Sequence, residues 1–292
     1  MIVDLIRLSR PKHWVKNVFV LLPVPFALAD GAQLDPLVFA MGLFSFCVAA
    51  SAVYAINDAQ DVERDRLHET KKHRPIAAGR ISLPVAYGWG VALILAGGGL
   101  AYATGSVMAM VLFGLYITSN LFYTFVAKHI TLLDVFLLSA MYLMRVLLGC
   151  ALLDVTASNW LLLCSGSLAL FLALAKRRAD VVSGQDSSTR PALEGYNQSF
   201  LDQAMGISAT MTVMAYAMYT VDAANKGGLL VIGREFAALP FVVFGVLDYL
   251  RMAHVKQGAG ASPVDMLLRS PALIATGIGW LAATTWSLRL GG

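Results

Sequence analysis

The chain has 292 residues, of which 58% are hydrophobic and 14% are charged, with a formal net charge of +4. Soluble domains carry roughly 25% charged residues, so this composition argues against a soluble globular enzyme and excludes an intrinsically disordered chain. The three cysteines lie in apolar runs, which excludes a disulfide scaffold and leaves a polytopic membrane protein.

Apolar runs define the predicted elements, because a bilayer core needs about 20 apolar residues per helix. The runs lie at about 15–33, 36–56, 83–104, 107–127, 132–153, 159–175, 203–221, 233–250 and 270–288. They are apolar throughout rather than alternating, which favours helices over transmembrane strands. We therefore expect an all-α bundle of about nine transmembrane helices, forming one domain over residues 1–292. Pro23 and Pro25 interrupt the first run, which could be a kinked helix.

The segment RPKHWVKN at 10–17 places basic and aromatic side chains at the start of the first span. Trp14 is expected to be an interfacial anchor. Lys16 either points inward to an anion or lies at the interface, and the sequence leaves both open.

An acidic motif begins where the second apolar run ends. Asp58, Asp61 and Asp65 lie at i, i+3 and i+7, which places them on one helix face, and Asn57 lies four residues before Asp61. Stacked carboxylates repel unless a cation lies between them, and Mg²⁺ held by carboxylates and substrate phosphates is the usual arrangement. The alternative is a solvated helix end in which neighbouring arginines neutralise the carboxylates.

Basic residues follow the acidic motif directly. Lys71, Lys72, Arg74 and Arg80 would supply contacts to an anion beside a metal ion. Tyr54 precedes the motif by about one turn, where it would either hydrogen-bond a sugar or phosphate or serve as an interfacial aromatic. This sequence of acidic and basic groups is what a diphosphate requires.

Charge also occurs in two later segments. Arg145 falls inside the fifth run, and Asp134 or Asp248 would be its partner. Lys176, Arg177 and Arg178 close the sixth run, either as topology anchors or as a cationic second half of the site. The segment 176–202 lacks a second pair of carboxylates on one helix face.

The distribution of basic residues predicts the orientation. Most of the 22 Lys and Arg residues fall in one set of loops, which the positive-inside rule places in the cytoplasm together with the N-terminus. We therefore expect a multi-pass protein of the cell membrane with a cytoplasmic active site near 57–82 and 176–202. No basic stripe interleaved with aromatics is present, so a nucleic-acid partner is not expected.

The stretch NDAQDVERD at 57–65, with RPIAAG at 74–79, resembles the first signature of the UbiA superfamily of intramembrane prenyltransferases. The resemblance covers most of the chain. It implies a nine-helix bundle that binds Mg²⁺ and a diphosphate at its cytoplasmic face.

Within that superfamily, the chain resembles most the branch of decaprenyl-phosphate phosphoribosyltransferases. RPKHWVKN, LALAKRRAD at 172–180 and SPVDMLLRSP at 262–271 are similar to signatures of that branch, and Arg190, Leu193 and Tyr196 match an R–L–Y pattern. Three positions depart from it: Asp180 replaces a Glu, Ser270 an acidic residue and Glu69 a Pro. The change at Ser270 leaves the role of its loop in doubt.

The resemblance implies a Mg²⁺-dependent transfer of 5-phosphoribose from phosphoribosyl diphosphate to a polyprenyl (decaprenyl) phosphate. Asn57, Asp58 and Asp61 would hold the metal, with Asp65 in support. Lys16, Lys176 and Arg177 would hold the ribose 5-phosphate or the lipid phosphate, and Tyr54 would position the ribose. Lys71, Lys72, Arg74, Arg190 and Tyr196 complete the expected substrate contacts. The bilayer is the other expected partner, and the chain could also form a homo-oligomer.

Two alternatives remain open. An aromatic prenyltransferase of the same superfamily, acting on a quinone or haem precursor, predicts a second acidic pair, which the sequence lacks. A membrane transporter without chemistry predicts inverted repeats and charges at mid-bilayer. The polar residues of this chain concentrate at one rim instead.

Overall fold

The computed structural model describes residues 1–69, 71–183, 191–226, 229–255, 266 and 270–288, and these are almost entirely helical. The α-helices are α1 (Ile2–Ser9), α2 (Val24–Ala29), α3 (Pro36–Gln60), α4 (Val62–Leu67), α5 (Leu83–Ala103), α6 (Val107–Phe125), α7 (Leu133–Leu152), α8 (Asn159–Val182), α9 (Gln198–Lys226), α10 (Leu239–Val255) and α11 (Pro271–Ser287). Short 3₁₀ helices cover Pro11–Leu21, Lys71–His73, Ala127–His129 and Pro191–Gly195.

Six segments of the described chain are long and apolar enough to cross a membrane. They are Pro36–Gln60, Leu83–Ala103, Val107–His129, Leu133–Leu152, Asn159–Val182 and Gln198–Asn225. The last two helices, α10 and α11, are shorter at 17 residues each. The predicted all-α membrane bundle is therefore confirmed, and the long helices arise because each apolar run must satisfy its backbone hydrogen bonds internally.

Several boundaries differ from the predicted spans. Helix α8 continues past the apolar run to Val182, so Lys176 and Arg177 lie inside a helix rather than after it. Helix α10 begins at Leu239, whereas the predicted span began at 233. Apolar composition marks the part of a helix that meets lipid, and the polar turns beyond it carry no such signal.

The first span is a 3₁₀ helix of 11 residues followed by the short helix α2. Pro23 is the N-cap of α2 and Pro25 lies in its first turn, so the two prolines separate these pieces. A 3₁₀ helix has three residues per turn, so residues at i and i+3 are aligned in rows. One row, Lys12, Val15, Val18 and Leu21, is exposed.

The two other rows of this 3₁₀ helix face the protein. Trp14 donates a hydrogen bond to the Ser51 hydroxyl at 2.9 Å, and Asn17 and Val20, in the same row, are buried. The row that contains Lys16 and Phe19 lies against Tyr54 of α3 and Tyr142 of α7. The span is thus held from two sides and presents its third side outward.

Close backbone approach fixes the first span against α7. A Cβ atom built on Gly149 of α7 would lie 2.1 Å from the carbonyl oxygen of Val20. Only glycine permits this contact without a shift of the backbone. Helix α7 also packs against α8 and α6, so it lies at the centre of the bundle.

Candidate active site

The acidic motif lies at the end of α3 and in α4, at what we call the charged end of the bundle, defined by Asp58, Asp61, Arg74 and Arg177. Asp58 is 2% exposed. Both of its carboxylate oxygens accept from Arg10 at 2.6 Å, and one accepts from Arg74 at 3.0 Å. The same Nη1 atom of Arg74 donates to Asp65 at 2.6 Å. Asp58 and Asp65 therefore converge on one cation.

Asp61 has a different partner. It accepts a hydrogen bond at 2.7 Å from Lys128, which lies in the 3₁₀ helix after α6 and is 8% exposed. The side chain of Asp61 is 21% exposed, more than either neighbouring aspartate. Asn57 is half-buried one turn before it. The acidic motif therefore joins α3 to the end of α6.

The donor set suits a magnesium ion with two protein carboxylates. Within the described chain no group of three or more His, Cys, Asp or Glu side chains is arranged around one metal position. Oxygens of Asp58 and Asp65, however, lie within 3.0 Å of a single Arg74 nitrogen, so the space between them already accommodates positive charge. Mg²⁺ is commonly bound by one or two carboxylates together with substrate phosphates, and this geometry matches that use.

Basic groups surround this acidic pair. Lys71 is half-buried and Lys72 exposed in the 3₁₀ helix that follows α4, and Arg74 comes directly after it. Burial raises the pKa of Asp65 above its ordinary value, and the charge and hydrogen bond of Arg74 oppose this shift. Burial and the nearby charge of Lys71 lower the pKa of His68. His68 therefore adds little positive charge near pH 7.

Tyr54 lies one turn before the acidic motif on α3 and contacts three basic side chains. Its hydroxyl accepts from Lys16 at 3.2 Å and lies 3.3 Å from Nδ1 of His13. Arg10 lies over its ring at 5.0 Å. Tyr54 thus connects the first span to the acidic motif.

Arg177, predicted as a phosphate ligand, is fully buried and paired with two protein carboxylates. It donates to Asp134 of α7 at 2.5 Å, to Asp180 at 2.8 Å and to the Tyr123 hydroxyl at 2.9 Å. Its side chain has 0% exposure. These contacts assign Arg177 to joining α6, α7 and α8 rather than to an open surface.

Tyr196 belongs to the same network. Its hydroxyl donates to Asp134 at 2.6 Å and accepts from the backbone N–H of Leu132 at 2.8 Å. Burial, followed by the hydrogen bond to Asp134, raises the pKa of the phenol above its ordinary value. Its buried hydroxyl supports the start of α7 and is not open to a ligand.

The other residues predicted in the second half of the site are Lys176, Arg178, Arg190 and the loop 262–271. Lys176 is half-buried, one residue before Arg177 on α8. Arg178 pairs with Asp202 of α9 and donates to the carbonyl oxygen of Ala253 at 2.6 Å, so it ties α8 to α9 and α10. Arg190 and most of the loop 262–271 lie outside the described residues.

Arg145 does not pair with Asp134 or Asp248, and that expectation is wrong. Its three donor atoms bind the Asn17 side chain at 2.8 Å, the Met141 carbonyl at 2.7 Å and the Tyr116 hydroxyl at 2.7 Å. Asp134 is bound by Arg177 instead, since α7 and α8 pack side by side at that level. Asp248 is bound by Arg251 at 2.6 Å.

A cavity of about 480 Å³ lies inside the bundle and extends to the end opposite the charged end, where Asp30, Thr156 and Ser158 line it. Helices α7 to α11 and the first span surround it, and its lining includes Phe19, Leu22, Phe171, Tyr249 and Trp280. Most of the lining is apolar. The cavity is therefore suited to hydrocarbon rather than to a soluble metabolite.

Three residues of the charged end are absent from the site that the sequence predicts. Arg10 and Lys128 bind the acidic motif, and Asp134 anchors Arg177. Arg10 lies within RPKHWVKN, so the motif itself was the available signal. Lys128 stands alone after the fourth apolar run, and nothing in its sequence context relates it to Asp61, 67 positions earlier.

Comparison with known proteins gives a consistent result. Residues 17–257 match the UbiA prenyltransferase family. The chain is 35% identical over 282 residues to a decaprenyl-phosphate phosphoribosyltransferase of Corynebacterium glutamicum, covering 95% of this chain and 84% of the relative. A protein of the same name from Mycolicibacterium smegmatis is 30% identical, with 96% and 91% covered. A UbiA homologue from Archaeoglobus fulgidus bound to DMAPP and Mg²⁺ superposes with a TM-score of 0.74 at 17% identity, covering 97% of both chains.

Proposed function

This chain belongs to the UbiA prenyltransferase family, and we propose that it moves 5-phosphoribose from phosphoribosyl diphosphate to a polyprenyl phosphate, with release of diphosphate. The observation that carries this proposal is a sequence identity of 30–35%, over nearly the full chain, to relatives named decaprenyl-phosphate phosphoribosyltransferase. Decaprenyl phosphate is accordingly the proposed acceptor. The enzyme would be a Mg²⁺-dependent pentosyltransferase.

The geometry of the second half of the charged end supports this substrate class. Asp134 and Asp180 lie at the end of α8, and Arg177 binds both. Both lie on the fully buried Arg177, whereas the partners of Asp58, Arg10 and Arg74, keep 20% and 26% of their side chains exposed. One acidic half beside a half that carries Lys176 suits a pair of substrates that bring a diphosphate and two further phosphates.

We propose that Asn57, Asp58, Asp61 and Asp65 hold Mg²⁺ against the diphosphate of the donor. When bound, the ion would act as a Lewis acid that stabilises charge on the departing diphosphate. Lys71, Lys72 and Arg74 would contact the phosphate oxygens, since they follow the acidic motif at its open side. Tyr54 would orient the ribose between these groups and the first span.

The proposed reaction breaks the bond between C1 of the ribose and the diphosphate oxygen, and the diphosphate leaves with the electron pair. An oxygen of the lipid phosphate attacks C1 and forms the new glycosidic bond. The attacking phosphate is already anionic at neutral pH, so no side chain has to remove a proton. Cations of the chain hold the two anionic substrates together, which lowers the entropic cost of their encounter.

The remaining phosphates would be held by Lys16 and Lys176. Arg177 and Tyr196 fix α8 against α7 and thereby position Lys176. The cavity of about 480 Å³ would receive part of the polyprenyl chain, while the rest extends into lipid. Because most basic residues fall in the loops on this side, the proposal expects the charged end to face the cytoplasm.

A purified-protein assay in lipid nanodiscs tests this proposal. The protein is incubated with Mg²⁺, phosphoribosyl diphosphate and decaprenyl phosphate, and the lipid extract is examined for a phosphoribosylated product while diphosphate release is followed. Product that requires both substrates supports the proposal. Product formed instead from a prenyl diphosphate and an aromatic acid would favour the aromatic prenyltransferase alternative.

A matched pair of variants connects the assay to the acidic motif. Asp61→Asn removes a carboxylate of the motif and should reduce turnover by at least about a hundredfold. Glu63→Gln, in the adjacent α4, removes a carboxylate that is 78% exposed and should leave turnover within about twofold of wild type. Equal activities of the two variants would contradict the assignment of the metal ligands.

A further inference from the structure

Two cations in the interior of the bundle lack a carboxylate partner within the described residues, in contrast to five others. Arg10, Arg74, Lys128, Arg177 and Arg178 all contact aspartates. Lys16 and Arg145 form no ion pair within the described residues. Positive charge that is removed from water without compensation is costly, so these two positions favour an anion.

The hydrogen bonds of Arg145 are incomplete. A guanidinium group carries five N–H donors, and three of them bind Asn17, Met141 and Tyr116. All three acceptors are neutral. The guanidinium is 5% exposed and lies over the rings of Tyr116 at 4.9 Å and Tyr142 at 5.1 Å. Its two remaining N–H groups, one on each terminal nitrogen, have no acceptor in the part of the chain that the structure describes.

Lys16 lies beside this guanidinium. It precedes Asn17, the residue that accepts from Arg145, and Tyr142 and Arg145 are both among its electrostatic neighbours. Its ammonium group donates to a single described side-chain oxygen, the Tyr54 hydroxyl at 3.2 Å. An ammonium group has three donors, so further donors remain for a ligand. The pair thus offers several N–H groups from two sides.

The first span connects this pair to the apolar cavity. Phe19 follows Lys16 by one turn of the 3₁₀ helix, packs on Tyr142 at 4.8 Å and lines the cavity. Leu22, one turn further, lines it as well. A ligand with an anionic head at Lys16 and Arg145 would therefore have its apolar part directed into the cavity.

We infer that Lys16 and Arg145 form the binding site for the phosphate of the lipid acceptor, rather than for the 5-phosphate of the sugar donor. This inference rests on the proposed function and makes it more specific. A phosphate monoester on a hydrocarbon matches a cationic pair inside the bundle beside an apolar cavity. A soluble sugar phosphate would have to leave water to reach the same position. Tyr54, which accepts from Lys16 at 3.2 Å and precedes the acidic motif by one turn, connects this site to the proposed donor site.

The test measures binding separately from turnover, in nanodiscs containing the full chain. The probes are a polyprenyl phosphate, the corresponding polyprenol without phosphate, and phosphoribosyl diphosphate. Lys16→Gln and Arg145→Gln should each weaken polyprenyl phosphate binding by at least about tenfold, because each removes a charge-assisted contact. Binding of polyprenol and of phosphoribosyl diphosphate should stay within about twofold of wild type.

Two further variants serve as controls for the loss of a surface charge and for the loss of the folded state. Lys12→Gln removes a lysine of the exposed row of the same 3₁₀ helix and should leave all three affinities unchanged. Arg145→Lys keeps the charge and should retain part of the preference for polyprenyl phosphate over polyprenol. If Arg145→Gln does not fold, Arg145→Lys and Lys16→Gln together still decide the question.

The inference is overturned if the variants weaken phosphoribosyl diphosphate binding instead, or if ribose 5-phosphate displaces the lipid at this site. It is also overturned if polyprenyl phosphate binding is unchanged in Lys16→Gln and Arg145→Lys. A wild-type protein that binds polyprenyl phosphate through this pair but forms no phosphoribosyl lipid would instead refute the proposed function alone. The two failures are thereby distinguishable.

Discussion

Removing the guanidinium of Arg177 should destabilise the protein itself, and this prediction separates a supporting role from a substrate contact. Arg177 is fully buried and joins Asp134, Asp180 and Tyr123. In Arg177→Met, two carboxylates lose their cation inside the bundle. Breaking a buried ion pair from one side costs about 3–5 kcal/mol, because the remaining charge is left uncompensated.

The assay is thermal unfolding of the purified protein in one detergent, without substrates. At about 2–4 °C per kcal/mol, the expected loss in melting temperature is on the order of 10 °C. Arg64→Met, which removes an exposed arginine of α4, is the control and should melt close to wild type. Adding Asp134→Asn and Asp180→Asn to Arg177→Met should recover part of the loss, since the uncompensated charges are then gone.

A melting temperature for Arg177→Met within about 2 °C of wild type would refute this reasoning. It would mean that water, or a proton taken up by one of the two carboxylates, compensates for the missing cation. Arg177 would then be available for the phosphate-binding role that the sequence suggested.

Four other outcomes are expected. Gly149→Ala should lower the melting temperature, because its Cβ would lie 2.1 Å from the Val20 carbonyl oxygen, and an unchanged value would contradict the close approach. Asp58→Asn should abolish product formation, and isothermal titration should show weaker Mg²⁺-dependent binding of phosphoribosyl diphosphate. Removal of divalent ions with EDTA should stop turnover reversibly, and activity that persists in EDTA would argue against a metal. Tyr196→Phe removes the hydrogen bond to Asp134 and should cost about 1.5–3 kcal/mol of stability, seen as a lower melting temperature, and an unchanged value would contradict the supporting role of this hydroxyl.

The architecture follows from the sequence because length and composition limit what an apolar run can do. A run of about 20 residues in lipid must form a helix, and α3, α5, α6, α7, α8 and α9 do so. The conformation of the first span was predicted only in part. Its prolines predicted an interruption, but the 3₁₀ geometry of Pro11–Leu21 depends on contacts with α3 and α7 that no local pattern contains.

Part of the site could be predicted from the sequence for a similar reason. Carboxylates spaced at i, i+3 and i+7 lie within one segment, so the sequence could indicate the acidic motif around Asp58. Partners that come from distant segments, such as Lys128 for Asp61, depend on tertiary structure. The run that contains Arg177 has the composition of an interfacial anchor, and only the packing of α7 against α8 reveals its burial. The metal ligands themselves stay a prediction.

The three-residue repeat of the first span makes its length a constraint on evolution and on engineering. Deleting one residue between 12 and 18 would turn the following side chains by about 120°, so that outward positions such as Leu21 would rotate toward the protein. Loss of three residues would preserve the rows but shift them along the axis by about 6 Å. Natural variation at this span should therefore proceed by substitution, with insertions and deletions confined to the connections on either side.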